Sequence, residues 1–342
     1  MKGYLDLVDH VLTNGSHEPN RTAVDTIAEL SYHYTYDLQE GYPLLTTKRM
    51  SESRWDSMIH ELLWYFSGEE HVRNLREKTG IWDDWATEEG HLQTAYGRFW
   101  RRFPVPGDDQ RLPGEAWPGT DNRWTDADDV DPSRWLNEEG TFDQIQYVLD
   151  MLAERPHSRR IIVVAWHPAN AALSKLPPCH YTFSFSVQNG RLHTILDQRS
   201  ADVALGVPFN IAAYALLAHV VAAQTDYEVG TFSHFLRNAH VYCGGGERGA
   251  WYADHLPELQ RRLRETDREH YDEVRAFVER EAPGDNADGK DHVPNLLTQL
   301  TREPLDPPTV EVADVPIDDL AYEDIALRDY ESHGPLSFGI AV

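Results

Sequence analysis

Apolar positions recur at helical spacing in several separate stretches of this chain. Leu5, Val8, Val11 and Leu12 form one stripe, a spacing that predicts an amphipathic helix over residues 5–12. Residues 55–66 carry Trp55, Ile59, Leu62, Leu63 and Phe66 on one face, and residues 142–152 carry Ile145, Val148, Leu149 and Leu152. Residues 209–224 are apolar almost throughout and follow Pro208, which predicts a central helix with proline at its start. Ile161-Ile162-Val163-Val164-Ala165-Trp166 is a continuous apolar run of strand length, expected to be buried on both faces. The alternating runs 181–187 and 191–197 are joined by Gln188-Asn189-Gly190. Asn-Gly between β-rich runs predicts a hairpin.

Two stretches interrupt these patterns. Residues 105–140 are rich in Pro, Gly, Trp and Asp, and include Asp126-Ala127-Asp128-Asp129-Val130-Asp131. The acids lack the glycine and terminal glutamate of a calcium loop, so a solvated acidic loop is expected. Residues 243–292 open on Gly244-Gly245-Gly246 and continue as a charged helix over 254–281, with Leu256, Leu259, Leu263, Val274, Phe277 and Val278. The triple glycine does not fit a phosphate-binding loop and reads as a flexible joint. There is no internal repeat, and a single domain over residues 1–342 with these two insertions is the organisation expected.

The net charge is −26, and lysine occurs only at Lys2, Lys48, Lys78, Lys175 and Lys290. Such a chain repels nucleic acid, so no general affinity for DNA or RNA is expected. A basic partner would suit the charge; a solvated surface adapted to high salt, where screening weakens self-repulsion, suits it better. No uninterrupted run of about eighteen apolar residues suggests a membrane-spanning helix. Asp6 stands where a secretory leader would be apolar, so no leader is expected either. Cys179 and Cys243 are the only cysteines, too few for a disulfide framework and suited to the reducing cytoplasm.

The candidate chemistry centres on Pro177-Pro178-Cys179-His180 and Gln198-Arg199-Ser200-Ala201-Asp202. A thiol is a strong nucleophile as its thiolate, which a nearby arginine favours. The predicted hairpin folds the second motif back beside the first, bringing Arg199 toward Cys179. A zinc site at His240 and Cys243 would lack the four ligands that structural zinc requires, so no metal is expected.

These motifs belong to a longer series. It contains Asn20-Arg21-Thr22, Pro43-Leu44-Leu45-Thr46-Thr47-Lys48-Arg49, His60-Glu61-Leu62-Leu63-Trp64, Ile81-Trp82-Asp83-Asp84-Trp85-Ala86, Tyr96-Gly97 and Ser158-Arg159-Arg160-Ile161-Ile162. It continues through Pro178-Cys179-His180, the Gln198 motif, Leu205-Gly206-Val207-Pro208-Phe209-Asn210-Ile211-Ala212 and His240-Val241-Tyr242. In this order the series resembles the thymidylate synthase family along nearly the whole chain, the two insertions apart.

The resemblance implies an α+β fold, with a large mixed β-sheet, packed helices and a sheet face that forms a homodimer interface. It implies methylation of dUMP to dTMP, with 5,10-methylenetetrahydrofolate supplying both the one-carbon unit and the hydride, so that no nicotinamide is needed. Thiolate addition to uracil C6 makes C5 nucleophilic, splitting one hard step into easier ones. By resemblance Cys179 is the nucleophile and His180 its support. Arg21, Arg199 and Ser200 bind phosphate, joined by Arg159 and Arg160 of the partner subunit. Asn210 selects uracil, His240 and Tyr242 hold the sugar, Glu61 organises water at O4, and Tyr96 assists removal of the C5 proton.

Asp202 corresponds to the pterin ligand; Ile81, Trp82, Trp85, Leu205, Gly206 and Phe209 correspond to the folate wall. Val342 corresponds to the end of a closing tail. The chain departs from the family at Ala23-Val24-Asp25-Thr26, where a glycine-rich loop is usual, and in the more acidic segment 50–55. The rival activities are a hydroxymethylase on the same scaffold, of which the dCMP version is disfavoured by Asn210, and a non-catalytic binding protein.

Overall fold

The Asn-Gly hairpin forms as its sequence predicts. Asn189 and Gly190 both have positive φ, 53° and 76°, the geometry of a two-residue turn whose twist matches its strands. It joins β4 (His180–Gln188) to β5 (Arg191–Gln198), with Gln188 opposite Arg191 and His180 opposite Gln198. The computed structural model describes residues 1–92, 95–105 and 132–341.

Around the hairpin a mixed sheet is built from β1 (Ser16–Glu18), β2 (Thr26–Asp37), β3 (Ile162–Val164), β6 (Ala201–Asp202) and β7 (Glu228–Tyr242). Its order is β1-β2-β7-β5-β4-β3, with β6 also paired to β7. β7 runs parallel to β5 and β6, and the other pairings are antiparallel. A separate hairpin of β8 (Thr309–Val312) and β9 (Ile325–Arg328) lies outside it. The result is the α+β class expected.

Strand alternation gives the sheet two unlike faces. Val163, Phe183, Leu196, His234 and Tyr34 align across it and are all buried beneath helices. The adjacent row Ile162, Ser184, Ile195, Ser233 and Thr35 lies partly or fully exposed on the other face, as does Phe235, which stacks on His33 at 4.0 Å. Ile162 is 44% exposed. The run 161–166 therefore forms an edge strand with one open face, where burial on both faces was expected. Apolarity of a short run does not distinguish a sheet centre from an uncovered edge.

The helices predicted over 5–12, 55–66, 142–152 and 209–224 correspond to α1 (Lys2–Asn14), α2 (Glu52–Phe66), α4 (Gln144–Glu154) and α6 (Gly206–Ala223). Short helices α3 (Tyr96–Arg101) and α5 (Pro168–Leu173) lie between them. Pro208 falls inside the first turn of α6, where a missing N–H costs nothing. By length and apolarity α6 meets the requirement for crossing a membrane, unlike the expectation from sequence, but 67% of it is buried within the fold against the sheet and α2.

The charged stretch is two helices, α7 (Gly246–Glu265) and α8 (Tyr271–Glu281), where one was expected, followed by α9 (Val293–Leu300). The triple glycine is a packed corner, not a flexible joint. A side chain on Gly245 would meet the Ala23 carbonyl at 2.3 Å, and Asp25 N–H donates to the Gly244 carbonyl. Arg248 and fully buried Asp291 tie the two ends of this stretch together at 2.7 Å, with Tyr252 also donating to Asp291. Asp25 faces His17 at 3.1 Å and belongs to this corner. The Asp126 to Asp131 cluster lies outside the described residues. Trp135, within the stretch read as a loop, is buried and donates to Asp150 of α4.

Candidate active site

Cys179 occupies the corner that leads into β4, and its backbone is fully engaged. Its N–H donates to the Tyr96 hydroxyl at 2.8 Å, and its carbonyl accepts from Arg199 N–H at 2.8 Å. The Arg199 guanidinium is held by backbone: Nε donates to the Pro178 carbonyl at 2.9 Å and Nη2 to the Pro177 carbonyl at 2.7 Å. That leaves Nη2 3.8 Å from Cys179 Sγ, with the guanidinium 5.5 Å from the Trp166 ring. Burial pushes the thiol above its ordinary range, while Arg199 and Arg21 pull it back. The arginines act in the direction expected, but desolvation outweighs them.

His180 stacks flat on Tyr96, with ring centroids 3.8 Å apart and planes within 4°, and Nδ1 is 2.7 Å from the Tyr214 hydroxyl. Burial lowers its pKa to about 3, so the imidazole is neutral. Tyr214 lies one turn beyond Asn210 on α6, and Glu61 approaches from α2. Glu61 is 8% exposed and accepts from Trp82 Nε1 at 2.6 Å. Burial raises its pKa to about 7, opposed by the nearby Tyr65 hydroxyl and by the Trp82 hydrogen bond. A chamber of about 10 Å³ lies among Glu61, His180, Asn210 and Tyr214, at the lower limit for one water molecule.

Outside this cluster is a cavity of about 470 Å³, within the usual range for a small-molecule site. Ile81, Trp82, Trp85, Leu205, Gly206 and Phe209 all line it, as do Glu61, Asp202 and Asn210. Lys48, Arg49 and Arg54 add positive charge. Asp202 accepts from the N–H groups of Ala204 and Leu205 at the entry to α6. A larger groove of about 740 Å³ shares Arg49 and Met50 but is otherwise lined by residues such as Trp55, Tyr322 and Tyr330. It contains none of the groups around Cys179, so the smaller cavity is the chemically relevant one.

His240 and Tyr242 pack edge to face at 5.2 Å. Burial raises the Tyr242 pKa, as does Asp202, while Asn20 and Arg21 oppose the shift, which locates the tyrosine beside the Arg21 turn. Ser200 follows Arg199 and accepts from Gln198 through its carbonyl. Arg159 and Arg160 stand exposed before β3. Val342 lies outside the described residues.

The sequence of the chain matches the model of the thymidylate synthase family over residues 2–342. It is 59% identical over 340 residues to the thymidylate synthase of Haloferax volcanii, covering 98% of this chain and 95% of that protein. The chain belongs to the thymidylate synthase family. It is a methyltransferase that converts dUMP to dTMP with methylenetetrahydrofolate as cosubstrate. Among the described residues no cluster of three or more His, Cys, Asp or Glu side chains is placed to hold a metal.

Several residues of this thymidylate synthase site were not assigned a role from sequence. Tyr214 carried a signal, a polar residue four positions beyond Asn210 on a charge-free helix. Lys48 stood inside a quoted motif; its ammonium is buried, donates to the Ala204 carbonyl at 2.7 Å, and is lowered to about 8 by that burial. Ile340 stood inside the segment read as a closing tail, whereas Trp166 carried no signal, since its placement depends on the tertiary fold.

The raised pKa of Glu61 has a definite stability signature. The unfolded carboxyl ionises near 4.5 and the folded one near 7, so a favourable contribution present below pH 4.5 is lost as pH rises through 7. Relative to Glu61→Gln, the wild type should lose about 3 kcal/mol of stability across that window. Denaturant titrations of both proteins at pH 4.5, 6 and 8 measure it; a pH-independent difference would show that Glu61 titrates normally.

Proposed function

We propose that Cys179 is the nucleophile that adds to C6 of dUMP, with the Arg199 guanidinium beside it. The single observation that carries this reading is the Arg199 position, fixed by two carbonyls and 3.8 Å from Sγ. Arg199, Arg21 and Ser200 bind the phosphate, since guanidiniums pair with its oxygens in charge-assisted contacts. Asn210 presents an acceptor and a donor to uracil N3–H and O4. His240 and Tyr242 hold the deoxyribose.

Once the thiolate has added, C5 attacks the one-carbon unit of the folate, forming the new carbon–carbon bond. Tyr96 assists removal of the C5 proton through water. Glu61, with a pKa near neutrality, can exchange a proton near O4 at working pH. Tetrahydrofolate is then eliminated and returns a hydride to the exocyclic carbon. Release of Cys179 leaves dTMP and dihydrofolate. The pterin ring meets Asp202 and stacks against Trp82, Trp85, Ile81, Leu205, Gly206 and Phe209, while Val342 closes over it. His180, neutral and stacked on Tyr96, holds the cysteine corner rigid.

The open sheet face joins two subunits, burying Ile162, Ile195 and Phe235, and Arg159 and Arg160 reach the partner's phosphate site. A symmetric dimer repeats that patch on both copies. Residues 1–342 act as one domain with two insertions, at 105–140 and at 243–292, the second holding the α7–α8 pair. The free cysteines suit the cytoplasm, and the −26 charge suits a surface that works in high salt.

Two experiments test this reading. Given dUMP and methylenetetrahydrofolate in molar potassium chloride, the protein should release dihydrofolate and dTMP in equal amounts. Tetrahydrofolate with hydroxymethyl-dUMP would identify a hydroxymethylase instead, and dUMP binding without turnover a binding protein. For the shared site, inactive Cys179→Ala should be mixed with an inactive Arg159→Ala/Arg160→Ala double variant. Subunit exchange should restore about a quarter of wild-type activity, because half the dimers would carry one intact site. No recovery despite demonstrated exchange would mean that both arginines serve their own subunit.

A further inference from the structure

The loop that closes the α7–α8 insertion packs directly on the chain's last described residues. Gly339 N–H donates to the Gly289 carbonyl at 2.8 Å, and the Gly339 carbonyl accepts from His292 Nε2 at 2.9 Å. Asn295 of α9 donates to the Ser337 carbonyl at 2.7 Å. Phe338 is buried edge-on to His292 at 5.1 Å, and the Lys48 ammonium sits 4.5 Å from its ring centroid. A side chain on Gly339 would meet the Asp288 carbonyl at 2.2 Å, so this contact admits only glycine. The next residue, Ile340, lines the 470 Å³ cavity.

His292 is in turn fixed by the insertion. Its N–H donates to the Tyr242 carbonyl at 2.9 Å, and its neighbour Asp291 is the buried partner of Arg248 and Tyr252. Because Nε2–H is committed to Gly339, Nδ1 carries no proton in the neutral ring; it lies 4.0 Å from Asp202. One imidazole thus bridges the α7–α8 stretch, the end of β7 and residues 337–339, beside a lining residue of the cavity.

We propose that the loop closing the α7–α8 stretch is a seat for residues 337–339, and that His292 is a positioning residue that holds Ile340 as a wall of the folate cavity. The inference rests on the reading of that cavity as the folate site. A mobile segment must give up backbone freedom when it orders beside a ligand. Here residues 337–339 are already held by hydrogen bonds, so a folate would meet Ile340 on a segment that has given up its backbone freedom beforehand.

The test uses His292→Leu, His292→Gln, which keeps a side-chain donor, and Gly339→Ala, which disturbs the same contact without touching the core. Hydrogen exchange of the peptide spanning 337–341 reports on the seat. The KM for methylenetetrahydrofolate and the binary affinity for dUMP report on the site. His292→Leu and Gly339→Ala should speed exchange in that peptide and raise the folate KM about three- to tenfold, the worth of one hydrogen bond. His292→Gln should fall between them and wild type, and dUMP affinity should stay within about twofold of wild type. Unchanged exchange, or faster exchange with an unchanged folate KM, would overturn the proposal. Trp82→Ala separates the two readings. If it alone raises the folate KM, the seat fails while the folate cavity stands; if no variant raises it, the cavity assignment fails as well.

Discussion

The register of β4 on β5 is the constraint on which the site depends. Side chains alternate along a strand, so a slip of one residue would carry every side chain to the opposite face. With His180 opposite Gln198, the residue after β5 returns to the residue before β4, and Arg199 N–H meets the Cys179 carbonyl. The two-residue turn at Asn189-Gly190 sets the register as far as Thr182 opposite Asp197, a one-residue shift between His180 and Thr182 then brings His180 opposite Gln198, and the Pro177 and Pro178 carbonyls fix the guanidinium. Tyr96 secures the corner from the other side through its hydroxyl and its stack on His180.

Burial dominates the electrostatics of that corner. It moves Cys179 and Glu61 up and His180 down, in each case toward the uncharged form, as low polarity requires. The thiol, the acid and the imidazole are thereby biased toward neutrality, while Arg21, Arg199, Lys48, Arg49 and Arg54 supply positive charge around them. Such a distribution suits anionic substrates, and it separates the task of binding their charge from the task of moving protons. It also means that arginine proximity alone does not create a standing thiolate here.

Much of this was legible in the sequence, for identifiable physical reasons. Amphipathic periodicity located α1, α2, α4 and α6, and Asn-Gly located the hairpin, because local rules govern both. The motif series brought Glu61, Trp82, Asp202 and Asn210 to one cavity, and Cys179, Arg199, Tyr96 and His180 to one corner. Long-range packing was not legible. The run at 161–166 read as central because its sequence could not show that the chain's own helices cover only one of its faces. The triple glycine read as a joint because nothing local announces the Ala23 carbonyl pressed against it. His292 and Gly339 lie 47 residues apart, and only the fold brings them together.

The central claim is that Cys179, held against Arg199, is the atom that attacks the nucleotide. The most direct measurement is trapping with 5-fluoro-dUMP and methylenetetrahydrofolate, followed by peptide mass spectrometry. Fluorine replaces the C5 proton that must leave, so the covalent complex cannot proceed. A stable adduct containing both ligands is predicted on the peptide carrying Cys179, absent from Cys179→Ala and retained in Cys243→Ala. An adduct on Cys243, or turnover of dUMP by Cys179→Ala, would contradict the account.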